Sequence, residues 1–212
     1  MKTNDLINAI AADAKAPSVP ITTTVWFAVG IGIVATGLLF WMMLPMRGDL
    51  GAAMGDWHFL MKWAFSLSLL LTGVALAVSL ARPQWAPSWN LLLILLGPVV
   101  LGLGVIAELI SLPAGEWMPT MIGTAPIACL VYVPLLSGLP LALMIIALRR
   151  GAPSQPAAAG AVAGVVAAGI AATFYATHCI NDSPLFLAVW YMIATAIVAG
   201  IGAILGARLL RW

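Results

Sequence analysis

Two cysteines stand in a chain of 212 residues, Cys129 and Cys179. Cys179 lies in the stretch ATHCINDSPLFLAVWY, which runs from Ala176 to Tyr191 and gathers His178, Asn181, Asp182 and Ser183 around the thiol. Three roles fit such cysteines. They are small buried hydrophobes, or the halves of a disulfide on an oxidising side of a membrane, or sensor thiols that take a soft metal or become oxidised. An imidazole beside a thiol suits copper or zinc, so His178 raises the metal role. Asp182 would then orient that imidazole from behind. Asp182 and Ser183 also suit the cap of a following helix, with Pro184 in its first turn. His58, in GDWHFLMKW, could join the same site or stand as a wetted interfacial residue. No CxxC pair is present, which argues against a membrane thiol-disulfide oxidoreductase.

Whether these groups meet depends on the elements that carry them. The chain is 63% hydrophobic and 8% charged, with a mean hydropathy of +1.10. A soluble domain would be about one quarter charged, so the natural solvent is lipid. A helix needs about 20 apolar residues to cross the hydrocarbon core. Six segments qualify: Thr23 to Leu44, Met61 to Leu80, Asn90 to Leu112, a run within Met121 to Leu148, Ala157 to Thr177, and Leu185 to Leu205. The first is too long for a cleaved signal and reads as a retained anchor. Nothing alternates like a barrel strand, and lipid leaves no partner for open backbone groups. The expected fold is an all-α integral membrane protein, a six-transmembrane-helix bundle (residues 23–212) behind a short N-terminal segment (residues 1–22).

Short-loop cations set the orientation. With the N-terminus cytoplasmic, Lys2, Lys15, Arg82, Arg149, Arg150, Arg208 and Arg211 fall inside, and Arg47 and Lys62 outside. Both termini are therefore expected in the cytoplasm. Cys129 precedes Arg149 by 20 residues, about 30 Å of helix, which is the core thickness. That places it at the outer edge, where Cys179 ends the next, antiparallel helix. The two thiols share a depth. Met42, Met43, Met46, Met54, Met61, Met118 and Met121 also crowd this side; thioethers favour Cu(I), and Met equally fills gaps.

The remaining features are structural in character. Gly160 with Gly164, and Gly202 with Gly206, have the spacing of closely packed membrane helices. Pro98, Pro126, Pro134 and Pro140 are expected to kink the middle helices. Glu108 is the acid within a span, near its outer end, and Lys62 would pair with it if their helices touch. A transporter or metal exporter, the rival reading, would need polar groups at mid-membrane, and the span centres are nearly bare. A membrane enzyme would need a general base, with only His58, His178 and Glu108 to draw on. A net charge of +2 gives no signal for nucleic acid.

Before the first span, Leu6, Ile7, Ile10 and Ala14 recur at helical spacing, and Pro17 and Pro20 end the run. So short an amphipathic helix is marginal alone. It is poor in Lys and Arg for a membrane-surface helix, so a protein groove is the favoured partner.

The opening MKTNDLINAIAADA, the linker RRGAPSQPA, the segment YATHCINDSPLFLAVWY and the ending ARLLRW together resemble the NrsF type of transmembrane anti-sigma factor. The most specific piece is H-C-x-x-D-S-P-x-F-x-x-x-W-Y, met by His178, Cys179, Asp182, Ser183, Pro184, Phe186, Trp190 and Tyr191. The resemblance implies a regulator, not an enzyme, in the bacterial inner membrane. Its N-terminal segment would hold an extracytoplasmic-function (ECF) sigma factor through Leu6, Ile7, Ile10 and Ala14. Its two cysteines, matching Cys129 and Cys179, would respond to heavy metals or related stress. Apart from the resemblance, the residues themselves offer Cys129, Cys179, His178 and His58 to a regulatory soft metal ion (Cu, Zn or Cd), and no cofactor is expected to be obligatory.

Overall fold

The computed structural model describes Thr3, residues 19–82, Leu92, Leu93 and residues 95–211. Among these the regular structure is helical. The long elements are α1 (Ile21–Met43), α3 (Trp57–Leu80), α4 (Leu96–Ser111), α6 (Pro126–Leu148), α7 (Pro156–Ala176) and α8 (Pro184–Leu209). Two short helices, α2 (Leu50–Ala53) and α5 (Trp117–Ile122), lie in the connections. Five helices are long and apolar enough to cross a membrane; α4, with 16 residues, is shorter. At 1.5 Å per residue α4 is about 24 Å long, less than the ~30 Å core. The third expected span is thus cut short within the described residues, and Asn90 and Leu91 lie outside them.

The boundaries follow from local chemistry. Helix α3 starts at Trp57, four residues before the expected Met61, because the Asp56 carboxylate accepts from the His58 backbone N–H at 3.0 Å and caps it. Pro98 and Pro126 do not kink their helices. They sit in the first turns of α4 and α6, where a missing N–H costs nothing. Before α6 the chain reverses at Gly123, whose φ of 63° lies in the left-handed region. A Cβ there would also stand 2.6 Å from the Phe186 ring. Pro134 and Pro140 lie within α6. Pro140 has no N–H for the Leu136 carbonyl, and the Thr36 hydroxyl of α1 donates to that carbonyl instead, at 3.5 Å. The same proline seats against Gly32, where a Cβ would lie 3.1 Å from the ring.

Helix α7 is the central element, touching α1, α3, α6 and α8. Small residues let it do so. Gly160 and Gly164 abut the α8 backbone at Gly202, Gly206 and Val198, and Gly169 abuts Leu70 of α3, whose N is 2.8 Å from where a Cβ would be. Lipid gives helices no hydrophobic reason to associate, so such close contact supplies the attraction through dispersion. The buried side chains form two halves. One surrounds Val25, Leu80, Met144 and Leu148; the other surrounds Phe40, Phe65, Cys129, Tyr175, Cys179 and Tyr191. The exterior is apolar, with Met42 and Ile110 each 82% exposed. So large an exposed apolar surface fits a lipid surround. The protein is a membrane protein.

Candidate functional site

Cys129 lies in the first turn of α6 and Cys179 just beyond the end of α7. The two helices run antiparallel, so one end of the bundle brings both thiols into the same half of the core. Both are free and buried. The Cys129 sulfur is 3.7 Å from the Tyr175 hydroxyl, and the Cys179 sulfur is 3.8 Å from the Asn181 carbonyl oxygen. Tyr132, Tyr175 and Tyr191 pack in the same half of the core, the Tyr175 ring centroid lying 6.1 Å from each of the other two. Cys179 belongs to the connecting loop, residues 177–183. Its thiol is lowered to about 6, chiefly by a hydrogen bond from Cys129, with the Lys62 ammonium adding and burial opposing. A thiolate, not a thiol, is the nucleophile and metal ligand.

The loop is clamped by two cations. Lys62 Nζ of α3 is fully buried; it reaches Asp182 Oδ1 at 2.6 Å and donates to the carbonyls of Cys179 at 2.8 Å and Asn181 at 3.1 Å. Arg47, four residues past α1, donates through Nη1 to Asp182 Oδ2 at 2.6 Å and to the Cys179 carbonyl at 3.4 Å. Its backbone N–H also meets the Thr177 carbonyl at 3.0 Å. The Arg47 guanidinium is held above its ordinary pKa, first by Asp49, with Asp182 adding. Asp49, against the same guanidinium at 2.7 Å, is lowered to about 2. Lysine is almost never fully buried unless paired; here Asp182 is the pair. The backbone around Cys179 is thereby joined to both α1 and α3.

The start of α8 has its own anchor. Ser183 caps it, accepting from the Leu185 N–H at 3.1 Å, and donates to Glu108 Oε2 of α4 at 2.7 Å. That same carboxylate oxygen accepts from Leu185 N–H at 3.0 Å. A buried carboxylate at a helix N-terminus is favoured by the helix dipole. His58 Nε2 approaches Glu108 Oε1 at 4.0 Å, and its Nδ1 contacts Asp56 at 2.9 Å. On the far side of the loop, Asn181 Oδ1 accepts from Thr124, and Trp190 donates to the Met121 carbonyl at 3.0 Å.

Several expectations change. Lys62 pairs with Asp182 and not with Glu108, which is 2% exposed and does not reach water. Asp182 neither caps α8 nor orients His178, because two cations already claim its oxygens. His178 Nδ1 lies against the Pro45 carbonyl at 2.7 Å. His58 belongs to the Glu108 corner. Among the described residues no three His, Cys, Asp or Glu side chains converge on a metal position, so the four-ligand set Cys129, Cys179, His178 and His58 is not assembled. Leu6, Ile7, Ile10 and Ala14 lie outside the described residues. The clamp itself was not foreseen, although its signal was present: Arg47 and Lys62 are the two cations that run against the charge bias of the loops.

A family model described as NrsF, negative regulator of sigma F, matches residues 10–212. The chain is similar to the probable anti-sigma-F factor NrsF of Azospira oryzae, at 32% identity over the whole of both chains. It is likewise similar to the anti-sigma-F factor NrsF of Caulobacter vibrioides, at 33% identity over the whole of both. No solved structure matches it.

Proposed function

The chain belongs to the NrsF family of negative regulators of sigma F, and on that premise we propose that it holds an ECF sigma factor at the bacterial inner membrane and releases it when Cys129 and Cys179 react. Its role is regulatory and not catalytic. The orientation is N-in and C-in, which puts the thiols on the periplasmic side and residues 1–22 in the cytoplasm. Leu6, Ile7, Ile10 and Ala14 form the face that grips the sigma factor.

One observation carries this reading: Cys179 occupies a loop fastened to Lys62 of α3 and to Arg47 after α1, and the second free thiol, Cys129 of α6, shares its half of the core. Oxidation to a disulfide joins the sulfurs and passes two electrons and two protons to an oxidant such as a peroxide. A soft metal ion instead displaces the thiol protons and binds the two sulfurs. A disulfide fixes the sulfurs about 2.05 Å apart, closer than any hydrogen-bonded pair. Drawing Cys179 toward α6 strains its carbonyl contacts with Lys62 and Arg47. Arg47 follows the end of α1 by four residues, and α1 leads back to the segment proposed to be cytoplasmic. A signal transmits only if it binds the holding and releasing states unequally, and the reacted thiols favour the state with the clamp loosened.

The test is co-purification with a candidate ECF sigma factor of the same organism. The full chain retains it, and a variant lacking residues 1–16 does not. Cadmium, copper or peroxide releases it from the wild type but not from Cys129→Ser or Cys179→Ser. Retention without residues 1–16 removes the proposed hook, and normal release from both serine variants removes the proposed sensor.

A further inference from the structure

At the end of the bundle away from the thiols, an apolar groove opens between α1 and α6. Phe27, Ile31, Leu143 and Ile146 line it, Val19 lies near its mouth, and Arg150 stands at its rim. Its volume of about 360 Å³ falls among ligand sites of about 300–1,000 Å³. The lining faces outward, with Phe27 66% and Ile146 60% exposed, so what fills it in a bilayer is lipid. From Thr24 to Ile31, the part of α1 that lines it, the helix advances about 10 Å, within the ~15 Å of one leaflet. The groove therefore fits within one leaflet.

The rim selects the headgroup. Arg150 follows the Arg149 cap of α6, and the Ala152 N–H bonds the Ala81 carbonyl at 3.1 Å, which brings Arg82 to the same corner. Among the described residues every ion pair lies at the thiol end. The corner thus offers guanidinium to a phosphate and no described carboxylate to a headgroup ammonium. Arginine binds phosphate through two parallel N–H donors, and basic pockets beside membrane helices take anionic headgroups. We infer that this groove binds one anionic phospholipid, with an acyl chain along α1 and its phosphate on Arg150. Such a lipid sits where α1 leaves the bundle toward its N-terminal segment.

The full chain in nanodiscs of equal phosphatidylglycerol and phosphatidylethanolamine is examined by native mass spectrometry. The wild type retains phosphatidylglycerol over phosphatidylethanolamine by about fivefold, the effect of roughly one arginine at a membrane surface. Arg150→Gln removes the charge, and Ile146→Trp fills the groove from an exposed position; each reduces the preference below about twofold. Arg208→Gln, at the end of α8, leaves it unchanged. Equal retention by the wild type overturns the inference, as does a preference surviving either groove variant. Loss in Arg208→Gln overturns it too, by revealing general surface charge, and so does a groove closed by a second copy of the chain.

Discussion

Lys62→Met keeps the length and apolar stem of the side chain and removes only the ammonium. In the wild type that ammonium is fully buried and touches Asp182 and the carbonyls of Cys179 and Asn181. Asp182 keeps Arg47, so the carboxylate retains one counter-charge. The Asn181 carbonyl loses its buried donor, which costs about 1–3 kcal/mol, while the Cys179 carbonyl keeps Arg47. Removing one member of a buried ion pair costs about 3–5 kcal/mol when the other is left alone. These bounds overlap near 3 kcal/mol. For a chain of this size each kcal/mol is worth about 2–4 °C, so the melting temperature in mild detergent should fall by about 6–12 °C. Near-ultraviolet circular dichroism reads the melt, and iodoacetamide labelling reads the loop, in which a loosened Cys179 becomes more accessible. Combined with Asp182→Asn, the loss should be less than additive by about 1–3 kcal/mol, because the two residues meet directly. A melting temperature within about 2 °C of wild type, with unchanged labelling, would refute the claim that Lys62 holds the loop.

Two other predictions follow from the same geometry. Cys179, lowered to about 6, is thiolate above that pH, so its labelling should reach half its maximum near pH 6 and level off by neutrality. In Cys129→Ala, where Cys179 is the remaining cysteine, the midpoint moves up toward the ordinary thiol value of about 8.5; a midpoint that stays near 6 would show that the Cys129 hydrogen bond is not the cause. Gly160→Ala places a methyl 2.7 Å from Gly206 Cα and should destabilise by about 1–3 kcal/mol through overpacking. Gly200→Ala, on the same α8 but with nothing within 4 Å, is its control in the same thermal melts.

The sequence carried the long apolar helices because lipid demands a fixed length of apolar chain, and α1, α6, α7 and α8 begin and end within a few residues of expectation. It carried the shared depth of Cys129 and Cys179 for the same reason, since helix rise converts residue number into height. It did not carry lateral contacts. Lys62 could face Glu108 or Asp182 by height alone, and only the rotation of α3 against the loop decides for Asp182. Proline shows the same limit. Pro126 and Pro134 look alike in sequence, yet the Gly123 reversal makes the first a helix start and leaves the second inside a helix. His58 and His178 are at one end of the bundle and still serve different neighbours, Glu108 and Pro45.

The glycine seam between α7 and α8 sets how this bundle can yield. Backbones touching at Gly160, Gly164, Gly202 and Gly206 leave no slack for sliding or tilting, so these two helices act as a stator. On the proposed release mechanism α1, α4 and α6 move against that pair, while α3 is held to it where Gly169 abuts Leu70. The Cys179 loop lies at one end of the pair, and Arg47 and Lys62 are the points where the chain after α1 and helix α3 are fastened to it. On the release mechanism proposed above, chemistry at the thiols acts at these fastening points, and α1 carries the displacement to its other end.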